Sequence, residues 1–170
     1  MTEKELEGRV ALVTGAGRNI GRAMAKALAA GGAAVIVNVR QNTAEAVEVV
    51  REIKHDGGKA IAAVADVADE QAVAAMVADA AKQLGRIDYL INNAALRQER
   101  TFEEMTFAEW RNVLGITLDG AFHCTASLTR KSGTCPRVPN SLPQNAVRCA
   151  KWASAVATTP SRFAATAVSE

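Results

Sequence analysis

The eight residues Thr14-Gly15-Ala16-Gly17-Arg18-Asn19-Ile20-Gly21 have the types and spacing to do chemistry. A pyrophosphate needs backbone that can approach it with no Cβ in the way. It also needs a helix N-terminus offering free N–H groups and the positive end of the helix dipole. Gly15 suits a tight turn out of a strand, and Gly21 suits close packing of the helix that follows. Asn19 is the kind of non-glycine residue that best tolerates left-handed backbone, so it can stand where glycine is usual. A glycine pattern alone is weak evidence, but one set between a buried strand and an Ala-rich helix is considerably stronger.

The flanking elements fit that requirement. Arg9 to Thr14 is a compact apolar run suited to a strand buried on both faces. Ile20 to Ala30 is a helix stopped by Gly31-Gly32, and Ala34 to Val39 is a second strand. Asn42 or Thr43 can cap the next helix, in which Val47, Val50 and Ile53 keep helical spacing. Lys59 to Val64 reads as a third strand, and Asp69 caps a helix carrying Val73, Met76, Val77, Ala80 and Leu84. Ile87 to Ile91 reads as a fourth strand, and Thr106 to Glu109 has capping-box spacing ahead of Trp110, Val113 and Leu114. Alternating strands and helices this short predict an α/β fold, a doubly wound parallel sheet with right-handed crossovers.

Bulk properties exclude several classes. A length of 170 residues suits one domain with a real core, and 49% apolar content with 22% charge is ordinary for a globular protein. A net charge of +2 is too small to argue for nucleic acid. The first residues mix charges without an apolar stretch, so no secretory signal is read, and no apolar run is long enough for a membrane span. Cys124, Cys135 and Cys149 lack metal-ligand spacing and read as free thiols of a cytoplasmic protein. His55 and His123 are isolated, so no metal site is expected.

Four blocks in order carry a resemblance. Thr14-Gly15-x-x-x-Asn19-x-Gly21, then Asp66-Val67, then Asn92-Asn93-Ala94-Ala95, then Trp110 to Phe122, resemble the short-chain dehydrogenase/reductase family over about residues 6–130. That resemblance implies a dinucleotide-binding (Rossmann-type) fold, a nicotinamide cofactor, a carbonyl or alcohol substrate and assembly as a homo-oligomer. It implies that Gly15, Arg18, Asn19, Ile20 and Gly21 hold the cofactor phosphates. Asp66 would accept from the adenine amino group with Val67 beside the ring, and Asn92, Asn93 and Ala94 would line the ribose and nicotinamide side.

The end of the second strand reports the dinucleotide. Asn38-Val39-Arg40 offers a guanidinium and no carboxylate, which suits a 2′-phosphate, and Arg18 can help from the loop. NADP is therefore favoured over NAD.

The resemblance also implies a catalytic Ser and a Tyr-x-x-x-Lys, which this chain lacks. Its one tyrosine, Tyr89, lies in the fourth strand with Asn93 four residues on. The auxiliary Asn that the family places in the last block is Thr117 here. No catalytic residue is therefore assigned, and hydride transfer is expected to be impaired.

The chain changes character near residue 126. Before it there is no Pro and no Ser, with 14 basic against 17 acidic residues; after it come 4 Pro, 6 Ser, 6 basic residues and one acid, Glu170. Residues 1–130 read as an incomplete dinucleotide-binding domain, truncated after the fourth strand and its following helix. Residues 131–170 read as an irregular or disordered tail with one short helix over Gln144 to Ala157. Reading a GC-rich gene out of frame would give such a tail; the rival is a divergent C-terminus with an interaction role. Three functions follow: an NADP-dependent oxidoreductase by descent, an inactive dinucleotide-binding fragment, or a subunit-binding adaptor using an exposed sheet edge.

Overall fold

The computed structural model of the chain describes residues 4–97 and 99–131. The expectations for the tail, including its helix, lie outside the described residues.

Four parallel strands form one sheet: β1 (Val10–Val13), β2 (Ala34–Val39), β3 (Lys59–Val64) and β4 (Tyr89–Ile91), in the order β3-β2-β1-β4. Leu12 pairs with Ile36 on one side and Leu90 on the other, so β1 is central and its four residues are all buried. Helices α1 (Asn19–Ala30) and α2 (Thr43–His55) lie on one face. There Ala11, Val13, Val35 and Val37 pack with Ala25, Ala29, Val49 and Ile53. Helices α3 (Glu70–Leu84) and α5 (Gly120–Lys131) cover the other face, where Leu12 and Ile36 meet Val73, Met76, Val77 and Cys124. Continuous apolar strands follow from this two-sided cover. The doubly wound parallel sheet is therefore the observed fold.

β2 and β3 span the residues expected. β4 is shorter, because the Asp88 carboxylate takes the Val10 N–H at 3.1 Å while the Asp88 N–H bonds the Val10 carbonyl at 2.8 Å. A side chain thus replaces the ladder at the strand's start. Burial alone raises the Asp88 carboxyl, but hydrogen bonds from Arg86 and the Val10 N–H, with Arg9 beside it, hold it below its ordinary value.

Helix α4 (Phe107–Leu114) runs into a π-helical turn, Gly115–Asp119, that the sequence pattern did not reveal. Among the described residues no helix is long and apolar enough to cross a membrane, and no group of three or more His, Cys, Asp or Glu could hold a metal.

Candidate functional site

The loops at the carboxyl ends of the strands bring the sequence-selected residues together. In the turn after β1, Gly15 has φ 62° and Asn19 has φ 48°; Asn19 is the one non-glycine residue with positive φ among those described. The left-handed backbone anticipated for Asn19 is present. A Cβ on Gly21 would strike the Gly15 carbonyl oxygen and lie 2.6 Å from Asn93 Nδ2, so only glycine lets α1 pack this close to the turn. A Cβ on Gly15 would sit 3.0 Å from the Ala94 backbone.

Two side-chain amides fix this turn. Asn93 Nδ2 donates to the carbonyls of Thr14 (2.9 Å) and Gly15 (3.1 Å). The Thr14 hydroxyl accepts from the N–H groups of Asn93 and Ala94, both at 3.0 Å, and donates to the Ile91 carbonyl. On the other side, Asn38 Oδ1 accepts from the Gly15 N–H at 3.4 Å, and the Asn38 carbonyl accepts from the Ala16 N–H at 2.8 Å. Asn38 is buried, and its Nδ2 faces the carbonyls of Ala63 and Ala65 (3.3 and 3.1 Å). The turn is thereby tied to β2, β3 and β4 at once. The sequence reading missed Asn38 as a clamp; the available signal was a polar residue inside a buried apolar strand, which must find hydrogen bonds.

The helix that begins there is left open. Arg18 is the N-cap of α1 and makes no side-chain cap, and the first turn of α1 carries no acidic residue. The other helices with resolved caps are closed by side chains: Asn42 on α2, Asp69 on α3 and Thr106 on α4. The unsatisfied N–H groups and positive dipole end of α1 therefore point at the turn with no side-chain cap and no acid of α1's own first turn to meet them. The backbone cradle and the open helix end suit a phosphate.

The remaining candidates lie around this turn. Arg18, Asn19 and Ile20 are exposed, as are Arg40 after β2 and Asn92 after β4. Among the described residues neither Arg18 nor Arg40 is in an ion pair, whereas Arg9, Arg22, Arg51, Arg86, Arg97, Arg100 and Arg130 are. Asp66 is half-buried and its Oδ1 accepts from the Ala68 N–H at 2.9 Å, while Val67 is buried. His123 Nδ1 lies 3.1 Å from the Val67 carbonyl, and a Cβ on Gly120 would lie 2.7 Å from Val67 Cγ2, so α5 supports that loop. Tyr89 is half-buried in β4 and packs against the core. Thr117 falls in the π-helical turn.

A cavity of about 370 Å³ opens at the other end of the sheet, lined among others by Lys4, Arg9, Gly58 and Lys59. It faces the amino ends of the strands, whereas parallel sheets of this kind bind ligands beyond their carboxyl ends. The turn after β1 is the better candidate.

Comparison with known proteins finds relatives by sequence and by fold. The short chain dehydrogenase family model matches residues 9–133. A 3-oxoacyl-[acyl-carrier-protein] reductase of Synechocystis sp. is 41% identical over 125 residues, covering 74% of this chain and 51% of that protein. The short-chain reductase protein NovJ of Streptomyces niveus is 44% identical, covering 71% and 46%. The crystal structure of a dehydrogenase/reductase from Sinorhizobium meliloti superimposes with a TM-score of 0.73 at 35% identity, covering 75% of this chain and 51% of that one. The chain spans about half the length of these relatives.

Proposed function

From the premise that this chain belongs to the short-chain dehydrogenase family, we propose that it binds NADP(H) at the turn after β1. The observation that carries this reading is the open end of α1: an uncapped, acid-free helix N-terminus facing a turn whose backbone is clamped by Asn38 and Asn93. Gly15, Arg18, Asn19, Ile20 and Gly21 hold the phosphates through backbone N–H groups. Asp66 and Val67 hold the adenine side, and Asn92, Asn93 and Ala94 line the path toward the nicotinamide. Arg40 and Arg18, free of ion pairs among the described residues, supply the cations that suit a 2′-phosphate.

The family's reaction is hydride transfer to a carbonyl or from an alcohol; a bound nicotinamide would supply the hydride in the first direction and accept it in the second. The reductases of acyl-carrier-protein substrates among the relatives make a carbonyl the natural substrate class. The chain's own residues bind and orient, but they hold no proton donor of the usual type. Tyr89 is its one tyrosine, it lies in β4, and no lysine follows it by four positions. Loss of a general acid costs on the order of 10²–10⁴-fold in rate. On this reading the chain binds dinucleotide and by itself reduces carbonyls slowly or not at all.

Leu118 and Phe122 are 63% and 65% exposed on the π-helical turn and α5. Such apolar exposure supports association with a second subunit.

Titration of the purified chain with NADPH and NADH, followed by nucleotide fluorescence, tests the proposal. Saturable binding that is tighter for NADPH is expected; absence of binding by either nucleotide would overturn it.

A further inference from the structure

Glu45 is an acid at a place where the sequence reading found none. It occupies the third position of α2, after the N-cap Asn42, whose side chain accepts from the Glu45 N–H at 3.4 Å. An acid three residues after a helix cap normally bonds back to the cap's own N–H. Glu109 does this in α4, reaching the Thr106 N–H at 2.9 Å. Glu45 does not, and among the described residues its carboxyl group has no hydrogen bond or ion pair.

Its carboxyl instead lies against the phosphate turn. A Cβ placed on Gly17 would meet Glu45 Oε2 at 2.9 Å and Val39 Cγ1 at 2.8 Å. Gly17 is buried and Glu45 half-buried. The acid therefore lies against the turn at Gly17, where Val39, the last residue of β2, also packs. In dinucleotide-binding folds of this kind the end of the second strand is where the adenosine ribose is read, an acid there accepting from its 2′-hydroxyl and opposing a 2′-phosphate. Here the strand end itself carries no acid, and the neighbouring helix brings one to the same corner.

We propose that Glu45 sets the dinucleotide preference of this site, its carboxyl opposing a 2′-phosphate and limiting the advantage that Arg18 and Arg40 give NADP(H) over NAD(H). The proposal deepens the dinucleotide reading and rests on it. Specificity is then a balance of two exposed guanidinium groups against one half-buried acid, which no inspection of the strand end alone would reveal. Gly17 belongs to the same device, since any side chain there would push Glu45 away.

The test compares the parent chain with Glu45→Gln and Glu48→Gln, each titrated with NADPH and with NADH. Glu48 lies three residues further along α2, is exposed and pairs with Arg51, so its replacement makes the same change in net charge one helical turn further on. Glu45→Gln should raise the ratio of Kd for NADH to Kd for NADPH by about tenfold, mainly through tighter NADPH binding. Glu48→Gln should leave the ratio unmoved, and Glu45→Asp should retain most of the parent's ratio. The rise in Glu45→Gln should also shrink at high salt. An unchanged ratio in Glu45→Gln, or an equal rise in Glu48→Gln, would overturn the proposal while leaving dinucleotide binding intact. A parent chain that binds neither nucleotide would overturn the dinucleotide reading and this proposal with it.

Discussion

Asn38 Nδ2 stands 3.1 Å from the carbonyl oxygen of Ala65, inside the protein, while the other end of the same amide accepts the N–H of Gly15. One buried side chain thus joins the loop after β3 to the turn after β1. Both loops belong to the proposed site, so the amide sets their separation.

Replacing Asn38 with Asp should therefore disrupt the site from beneath. The new carboxyl oxygen would face the carbonyls of Ala63 and Ala65 where a donor stood. Leaving buried polar groups unsatisfied costs about 1–3 kcal/mol, more when the group is charged. A lowered urea midpoint, with nucleotide binding weakened further than stability, is the expected result. Asn38→Leu should lose stability without the added charge penalty.

Gly21 and Gly85 offer a matched pair. Alanine at Gly21 would collide with the Gly15 carbonyl and Asn93 Nδ2, whereas alanine at Gly85 (φ 83°) meets no atom within 4 Å and suffers backbone strain alone. With ψ at −149° as well, the Gly85 backbone lies in a region almost confined to glycine, and Gly85→Ala should cost about 1–3 kcal/mol. Gly21→Ala should cost more and abolish nucleotide binding, as read by thermal melting and titration.

Asn19 should tolerate glycine and resist branched residues. With φ at 48°, Asn19→Gly should change stability little, while Asn19→Val should lose about 1–2 kcal/mol. Thermal melts of the two variants check this directly.

Acid should weaken the fold partly through Asp88. Its carboxyl is held below the ordinary value, so its stabilisation is complete above the unfolded carboxyl's pKa of about 3.9 and is lost as pH falls through the lower folded value. Asp88→Asn should destabilise the protein at neutral pH, since Arg9, Arg86 and the Val10 N–H lose a charged acceptor. It should also flatten the acid limb of stability. Urea midpoints measured from acid to neutral pH will show both effects or neither.

Much of the fold was legible because its signals are local. β2 and β3 read as apolar runs bounded by glycine and polar residues. Asp69 and Thr106 announce their helices by cap chemistry, and both bonds are present: Asp69 accepts from the N–H groups of Gln71 and Ala72, and Thr106 shares a capping box with Glu109. The backbone freedom needed at Asn19 was also readable, since few residue types adopt it. What escaped depends on distant pairs. The shortening of β4 needs the Asp88 side chain to meet Val10, which lies 78 positions away. The π-helical turn has no periodic signature; Gly120, which packs on Val67, closes it by donating to the Gly115 carbonyl. Glu45 reads as an ordinary first-turn acid until the turn after β1 is placed against it.

The central claim is that dinucleotide phosphates sit on the turn after β1, and amide chemical shifts test it most directly. In a nitrogen-15-labelled chain, NADPH should move the resonances of Gly15, Arg18, Asn19, Ile20 and Gly21 most, with Arg40 and Asp66 next. Residues lining the cavity at the opposite end of the sheet, such as Gly58 and Lys59, should stay in place. Saturable shifts at Gly58 and Lys59 with none at Gly15 to Gly21 would contradict the account.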